Sequence, residues 1–250
     1  MPAPAYDAIG RDYGDVRRTD PRIAADVWSA LGDAVSVVNV GAGTGSYEPR
    51  DRAVVAVEPS AVMIAQRPAR SAPAVRAAAE ALPLGTEAVD AALAVLTVQH
   101  WCDLAGGIRE LLRVARRRVV LVTMDIDVVS QLWLVHDYLP EAVADGAGGY
   151  PSIAQLLDLL PEASVTPIPV PNDCIDGFTS AYWARPEAYL DSRLRAGSSP
   201  WHQLPGAVVQ RALDQLERDL ASGEWDDRYA TLRQSPALDV GLRLIAAHQH

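Results

Sequence analysis

Val35-Ser36-Val37-Val38-Asn39-Val40 runs directly into Gly41-Ala42-Gly43-Thr44-Gly45, and the reading of this junction decides the fold. A short, mostly β-branched run reads as a buried strand. The glycines after it read as a tight turn, because glycine takes positive φ without strain and lets a ligand approach the backbone. A second apolar run, Ala53-Val54-Val55-Ala56-Val57, ends at Glu58-Pro59-Ser60, where Ser60 can cap a helix beginning near Ala61. Glu58 therefore falls at the carboxyl edge of the neighbouring strand, beside the turn. A carboxylate there can accept both hydroxyls of a ribose, and this is the usual ligand crevice of open α/β sheets.

Outward from this pair the rhythm continues. Ala74-Val75-Arg76-Ala77, Val89 to Leu96 and Val119 to Thr123 are further short apolar runs, and Ile108, Leu111, Leu112 and Ala115 mark one face of a helix from Leu104 to Arg116. Apolar strands alternating with helices predict a parallel sheet covered on both faces. Arg116-Arg117-Arg118 reads as the solvated end of that helix. Beyond residue 125, Ser152 to Leu160 and Ala207 to Leu220 read as helices, Val165 to Val170 as a strand and Asp239 to Ile245 as a terminal strand. The stretch between those two strands, rich in Tyr, Trp, Pro and Arg, is long enough to read as a lid.

The 250 residues include 49% hydrophobic and 22% charged side chains, a globular composition. Net charge is −10, and every basic residue is arginine. Such a surface repels polyanions, so nucleic acid and anionic membranes are not expected partners. No apolar run approaches the roughly 20 residues of a membrane span. The N-terminus lacks the basic and apolar regions of a signal peptide, and Cys102 and Cys174 stand too far apart for a close zinc pair. The expectation is a cytoplasmic protein with free thiols, its oligomeric state left open.

The spacing narrows the nucleotide. A dinucleotide fingerprint puts its third glycine where Ser46 stands, and a chain without lysine has no P-loop. The segment resembles motif I of the class I S-adenosylmethionine-dependent methyltransferases. Val54 to Ser60 is similar to their second strand with its ribose-binding acid, and Ala78-Ala79-Glu80-Ala81-Leu82-Pro83 to the segment that lies along the adenine. Val89 to Trp101 resembles the fourth strand and its loop, and Leu111 to Thr123 the helix and fifth strand.

The resemblance implies an α/β fold with a Rossmann-like, seven-stranded, mostly parallel sheet, an antiparallel last strand, helices on both faces and an inserted helical lid. It divides the chain into an N-terminal helical arm (1–34), a cofactor-binding core (35–125), a lid and substrate-binding elaboration with late core elements (126–238) and a final strand and tail (239–250). It further implies S-adenosylmethionine bound by Tyr13, Gly41, Ala42, Gly43, Gly45, Glu58, Ala79, Glu80 and Leu96, with methyl transfer to an O or N atom of a small molecule, a specialised metabolite. Two departures stand out. Asn39 replaces a common acid, where it can still hydrogen-bond the turn backbone, and Ala78 replaces an Asp that contacts adenine. A nicotinamide-dependent dehydrogenase and a non-catalytic, cofactor-binding or partner-binding protein remain alternatives.

Other residues divide between chemistry and packing. Tyr13, ahead of Tyr6, with Arg17 and Arg18, could meet the methionyl carboxylate or simply pack. His100 follows the fourth strand, where a base for the acceptor proton would stand. Asp125, Asp127, His136 and Asp137 could be drawn together around a metal, but their spacing matches no Ca²⁺ loop, and no metal is expected. The aromatics of the second half divide between lid packing and an acceptor pocket, with Tyr182-Trp183-x-Arg185 near Phe178 as the segment expected against the acceptor and Cys174 as a buried structural thiol.

Overall fold

A computed structural model describes residues 13–144 and 149–249; Tyr6 and the Tyr13 side chain lie outside that description. The sheet is built from β1 (Ser36–Val40), β2 (Ala53–Val57), β3 (Ala74–Val75), β4 (Val89–Val95), β5 (Ala115–Met124), β6 (Ser164–Pro167) and β9 (Leu242–His248). Its order is β3-β2-β1-β4-β5-β9-β6. The pairs from β3 to β5 are parallel, and β9 lies antiparallel between β5 and β6. This is the expected seven-stranded sheet with its antiparallel last strand.

Side chains along the central strands alternate between two cores. Val38, Val40, Ala92, Ala94, Val119 and Leu121 pack on one face with Ile108, Leu111 and Val114 of helix α4 (Leu104–Val114). Val37, Ala91, Leu93, Val120 and Val122 pack on the other with Ile23, Ala24 and Val27 of α2 (Pro21–Ala30). The connection from β1 to β2 carries no helix, although parallel strands usually need one for the crossover. Tyr47 of this connection is buried in the α2 core, and its carbonyl accepts a bond from Trp28 Nε1 at 2.9 Å.

One helix expectation and one strand expectation are corrected. Arg116, Arg117 and Arg118 are not a helix end, because α4 stops at Val114 and β5 begins at Ala115. The arginines project from the start of β5 and pair with carboxylates, Arg116 with Asp90 at 2.8 Å and Arg117 with Asp33 at 2.5 Å. The run from Val165 to Val170 splits in two: β6 ends at Pro167, and after Pro169 the chain pairs as β7 (Val170–Pro171) with β8 (Ala237–Leu238). Proline cannot donate to a ladder, which explains the change of partner.

Beyond β5 the chain adds α5 (Ile126–Val129), helical turns and α6 (Ile153–Leu159). Between β7 and β8 lie α7 (Ser192–Ala196), α8 (Ser199–Gln203), α9 (Gly206–Ser222) and α10 (Glu224–Gln234). The helical turns after α5 and the helices α7 to α10 share a third core in which Trp133 meets Tyr138, Tyr189 and Trp225 edge-on at 5.3–5.7 Å, whereas α6 packs with α4 in the sheet core. Among the described residues no helix is long and apolar enough to cross a membrane.

Candidate functional site

Gly41, Gly43 and Gly45 take φ of +67°, +50° and +97°. At Gly41 a Cβ would lie 2.0 Å from Thr97 Oγ1, so this position admits no side chain. Glu58, 6% exposed, holds the turn from the next strand, with Oε2 accepting from Gly43 N at 2.8 Å and Oε1 from Ser60 N at 2.8 Å. Ser60 in turn caps α3 (Ala61–Ala65) by accepting from Met63 N. The acid and the glycines foreseen from the sequence therefore form one unit.

Asn39 works differently from its expected part. Its amide donates not to the turn backbone but to Glu48 Oε1 at 3.3 Å. Glu48 is paired with Arg67 at 2.6 Å, and Arg67 donates to the Gly43 carbonyl at 3.0 Å. An acid at 39 would face a second buried carboxylate, which accounts for the amide.

Ala79 is buried beside the sheet edge, and Glu80 Oε1 accepts from the backbone of Cys102 and Asp103 at 2.7 and 3.2 Å. Glu80 thus fastens the segment before β4 to the loop after it. That loop begins at Leu96, which takes φ +51° and donates from its backbone to Val122 O.

Over this edge, against the segments that follow β5 and β7, lies a largely apolar cavity of about 80 Å³, walled in part by Leu96, Gln99, Met124, Trp133, Phe178 and Trp183. Gln99, which the sequence reading passed over in favour of its neighbour, is on the wall and His100 is not. Burial holds the His100 pKa down to about 4, so the ring is neutral at physiological pH. Of the segment expected against the acceptor, Phe178 and Trp183 line the cavity, whereas Arg185 stacks on Tyr182 at 5.0 Å and donates to the Cys174 carbonyl. Cys174 is buried, which pushes its thiol pKa up to about 12.

Arg17 also lines the cavity, but its guanidinium grips Asp176 at 2.6 Å, and Tyr47 donates to the same carboxylate at 2.7 Å. The two charged side chains are 8% and 0% exposed. Three separate segments meet at Asp176: the chain after α1 (Tyr13–Val16), the turn connection and the lid. Asp125 caps α5 and accepts from Arg243, and His136 pairs with Asp137. Among the described residues no group of three or more His, Cys, Asp or Glu is arranged to hold a metal.

A putative methyltransferase from an antibiotic biosynthesis pathway of Anabaena variabilis superposes with a TM-score of 0.86 at 31% identity, over 93% of this chain and 98% of that one. The chain belongs to the class I S-adenosylmethionine-dependent methyltransferases. The methyltransferase-domain family profile matches residues 38–123 of the enzyme. Its fold is shared at 16% identity by a geranyl diphosphate C-methyltransferase from Streptomyces coelicolor A3(2) (TM-score 0.51; 91% of this chain, 78% of that one). A [4+2]-cyclase shares it at 17% identity (TM-score 0.56; 99% and 95%). No curated protein sequence matches significantly. Family membership makes S-adenosylmethionine the methyltransferase's cofactor and sets aside the dehydrogenase and non-catalytic alternatives. The residues present suit that group: Gly41, Gly43 and Gly45 hold the turn at positive φ without side chains, and the Glu58 carboxylate beside it is an acceptor of the kind ribose hydroxyls need.

Proposed function

We propose that the enzyme methylates an O or N atom of a small, largely apolar molecule held in the cavity between the sheet edge and the lid. The observation that carries this reading is the position of the cavity: Leu96 and Gln99 line it from the loop whose Thr97 packs against Gly41. Cofactor turn and cavity thus share one loop. The relative in an antibiotic biosynthesis pathway supports a specialised metabolite as acceptor.

Within this reading Glu58 binds the ribose hydroxyls, the backbone of Gly41, Ala42, Gly43 and Gly45 lies along the methionyl chain, Ala79, Glu80 and Leu96 border the adenine, and Tyr13 closes over the cofactor. Bound there, S-adenosylmethionine supplies a methyl group already activated on a sulfonium. The chain's own work is to hold the acceptor atom in line and keep water out. Neutral His100, one residue behind the wall, can take the acceptor proton only through Gln99 or a water. Residues 126–238, apart from the late core elements α6 and β6, act as the acceptor lid, and about 80 Å³ is well under the several hundred that a drug-sized ligand fills, so the lid must open for a substrate.

The test is incubation of the enzyme with methyl-labelled cofactor and a fractionated metabolite extract. Label in a small molecule, at oxygen or nitrogen, is the expected result. Label at carbon, or only in polypeptide or nucleic acid, overturns the acceptor assignment.

A further inference from the structure

Gln99 is one of the few residues with a buried polar atom left without a hydrogen-bond partner among the described residues: its Oε1 has none. The amide nitrogen, by contrast, is crowded. It lies 2.9 Å from the Leu96 carbonyl, 3.3 Å from the Tyr150 hydroxyl and 3.2 Å from His100 Nε2. The Leu96 carbonyl can only accept, so the nitrogen must face it, and the two ends of the amide cannot be exchanged. Neutral His100 can accept at Nε2 and help hold that orientation. A buried acceptor left unpaired is destabilising and calls for an explanation, and a position on a cavity wall offers one in the form of a guest donor.

We propose that Gln99 Oε1 is the acceptor subsite of the cavity, selecting molecules that present an O–H or N–H at the sheet edge and turning that group's lone pair away from Gln99. This rests on the cavity being the acceptor site. The rest of the wall is chiefly apolar, with hydroxyls at Tyr150, Thr179, Ser180, Tyr189 and Ser198; unlike them, Gln99 Oε1 is a buried acceptor with no partner among the described residues, and that unmet capacity makes it the counterpart of a guest donor placed beside Gln99. The substrate class that follows is a planar or aliphatic apolar body carrying a hydroxyl or an amine N–H as its nucleophile. A donor-free carbon nucleophile would leave Oε1 orphaned and be disfavoured.

Three one-ring probes, phenol, anisole and toluene, test the assignment by calorimetric titration into enzyme saturated with S-adenosylhomocysteine. With the lid shut the cavity is smaller than the roughly 150 Å³ that holds a benzene ring, but the cost of lid movement is common to all three probes and cancels from their ratios. Wild-type enzyme is expected to bind phenol about tenfold more tightly than anisole, which keeps the oxygen and lacks the donor. Gln99→Met should abolish that ratio and favour toluene over phenol, while S-adenosylhomocysteine affinity stays unchanged. Equal binding of phenol and anisole by wild type overturns the inference without recourse to the variant, and so does a phenol preference that survives Gln99→Met. Binding of none of the probes overturns the acceptor-site reading and this inference with it.

Discussion

Asn39 shows how one side chain reports on its surroundings. It sits in β1, 2% exposed, and donates to Glu48. Asn39→Asp should cost roughly 3 kcal/mol at neutral pH, because a second buried carboxylate has no cation of its own. The new carboxyl's folded pKa would be raised by Glu48, so the penalty should be small below the ordinary carboxylate range and grow as pH rises through and beyond it. Denaturant titrations at pH 4 and pH 7 check this, and an equal loss at both would refute it. Glu58→Ala should weaken S-adenosylhomocysteine binding by about 1.5–3 kcal/mol, the value of hydrogen bonds to a charged group; calorimetry measures it, and unchanged affinity would move the ribose elsewhere. His100 gives a kinetic expectation. With its pKa held down to about 4 by burial, it is neutral from well below pH 6 upward, so turnover should show no inflection near 6.5. An inflection there would mean a solvent-open imidazole.

At the scale of elements, α2 is held at its start by Asp20, whose Oδ1 accepts from Arg22 N at 3.0 Å and whose Oδ2 accepts from Ile175 N at 3.2 Å. Burial works to raise this carboxyl's pKa, but the Arg22 guanidinium and the two backbone donors outweigh it and bring it down to about 2. A depressed folded pKa contributes stability above the unfolded value near 3.9 and loses it as pH falls through the folded one. The Asp20 contribution should therefore vanish between about pH 4 and pH 2. Asp20→Asn, which keeps a capping oxygen, should flatten that acid limb, and Asp20→Ala should cost about 1–2 kcal/mol more generally; acid unfolding followed by circular dichroism distinguishes them, and an unaltered acid limb in Asp20→Asn would clear Asp20. The same scale shows what was legible. The β1 run, the three glycines, Glu58 and the helix face of Ile108 and Leu111 could be read because strand, turn and helix periods are local properties. The arginines at 116–118 could not, because basic residues suit the exposed beginning of a strand as well as a helix end, and only distant Asp33 and Asp90 decide between them. Gln99 was passed over for a similar reason: which of two adjacent polar residues faces the cavity depends on the helical turn Val98–His100 and on Tyr150 from far along the chain.

At the scale of the whole molecule, two cores flank the sheet and the third belongs mostly to the lid itself. A lid that moves as a unit on its own core, as the proposed function requires, should leave hydrogen exchange slowest in β1, β4 and β5 and faster at the lid's seams. Asp176, where Arg17 and Tyr47 converge, is a polar tie at this seam, and Asp176→Ala should cost about 3–5 kcal/mol by removing the carboxylate that the buried Arg17 guanidinium and the Tyr47 hydroxyl both bond. Mass-spectrometric exchange should then show faster opening at residues 172–198 with little change in β4; uniform acceleration would mean that lid and sheet unfold together. The short β7–β8 ladder adds a consequence of another kind. Val170 and Leu238 stand opposite each other, so the chain leaves for the lid's main part and returns from it through one narrow doorway. An excursion whose two ends are already neighbours joins the body covalently at one place, and its further ties are non-covalent, from Asp176 to Arg17 and Tyr47 and from Ile175 to Asp20. Residues 172–236 are thus a single insertion in topology, and a chimera that exchanges them at these two points is expected to fold only where it keeps Asp176 as the shared partner of Arg17 and Tyr47.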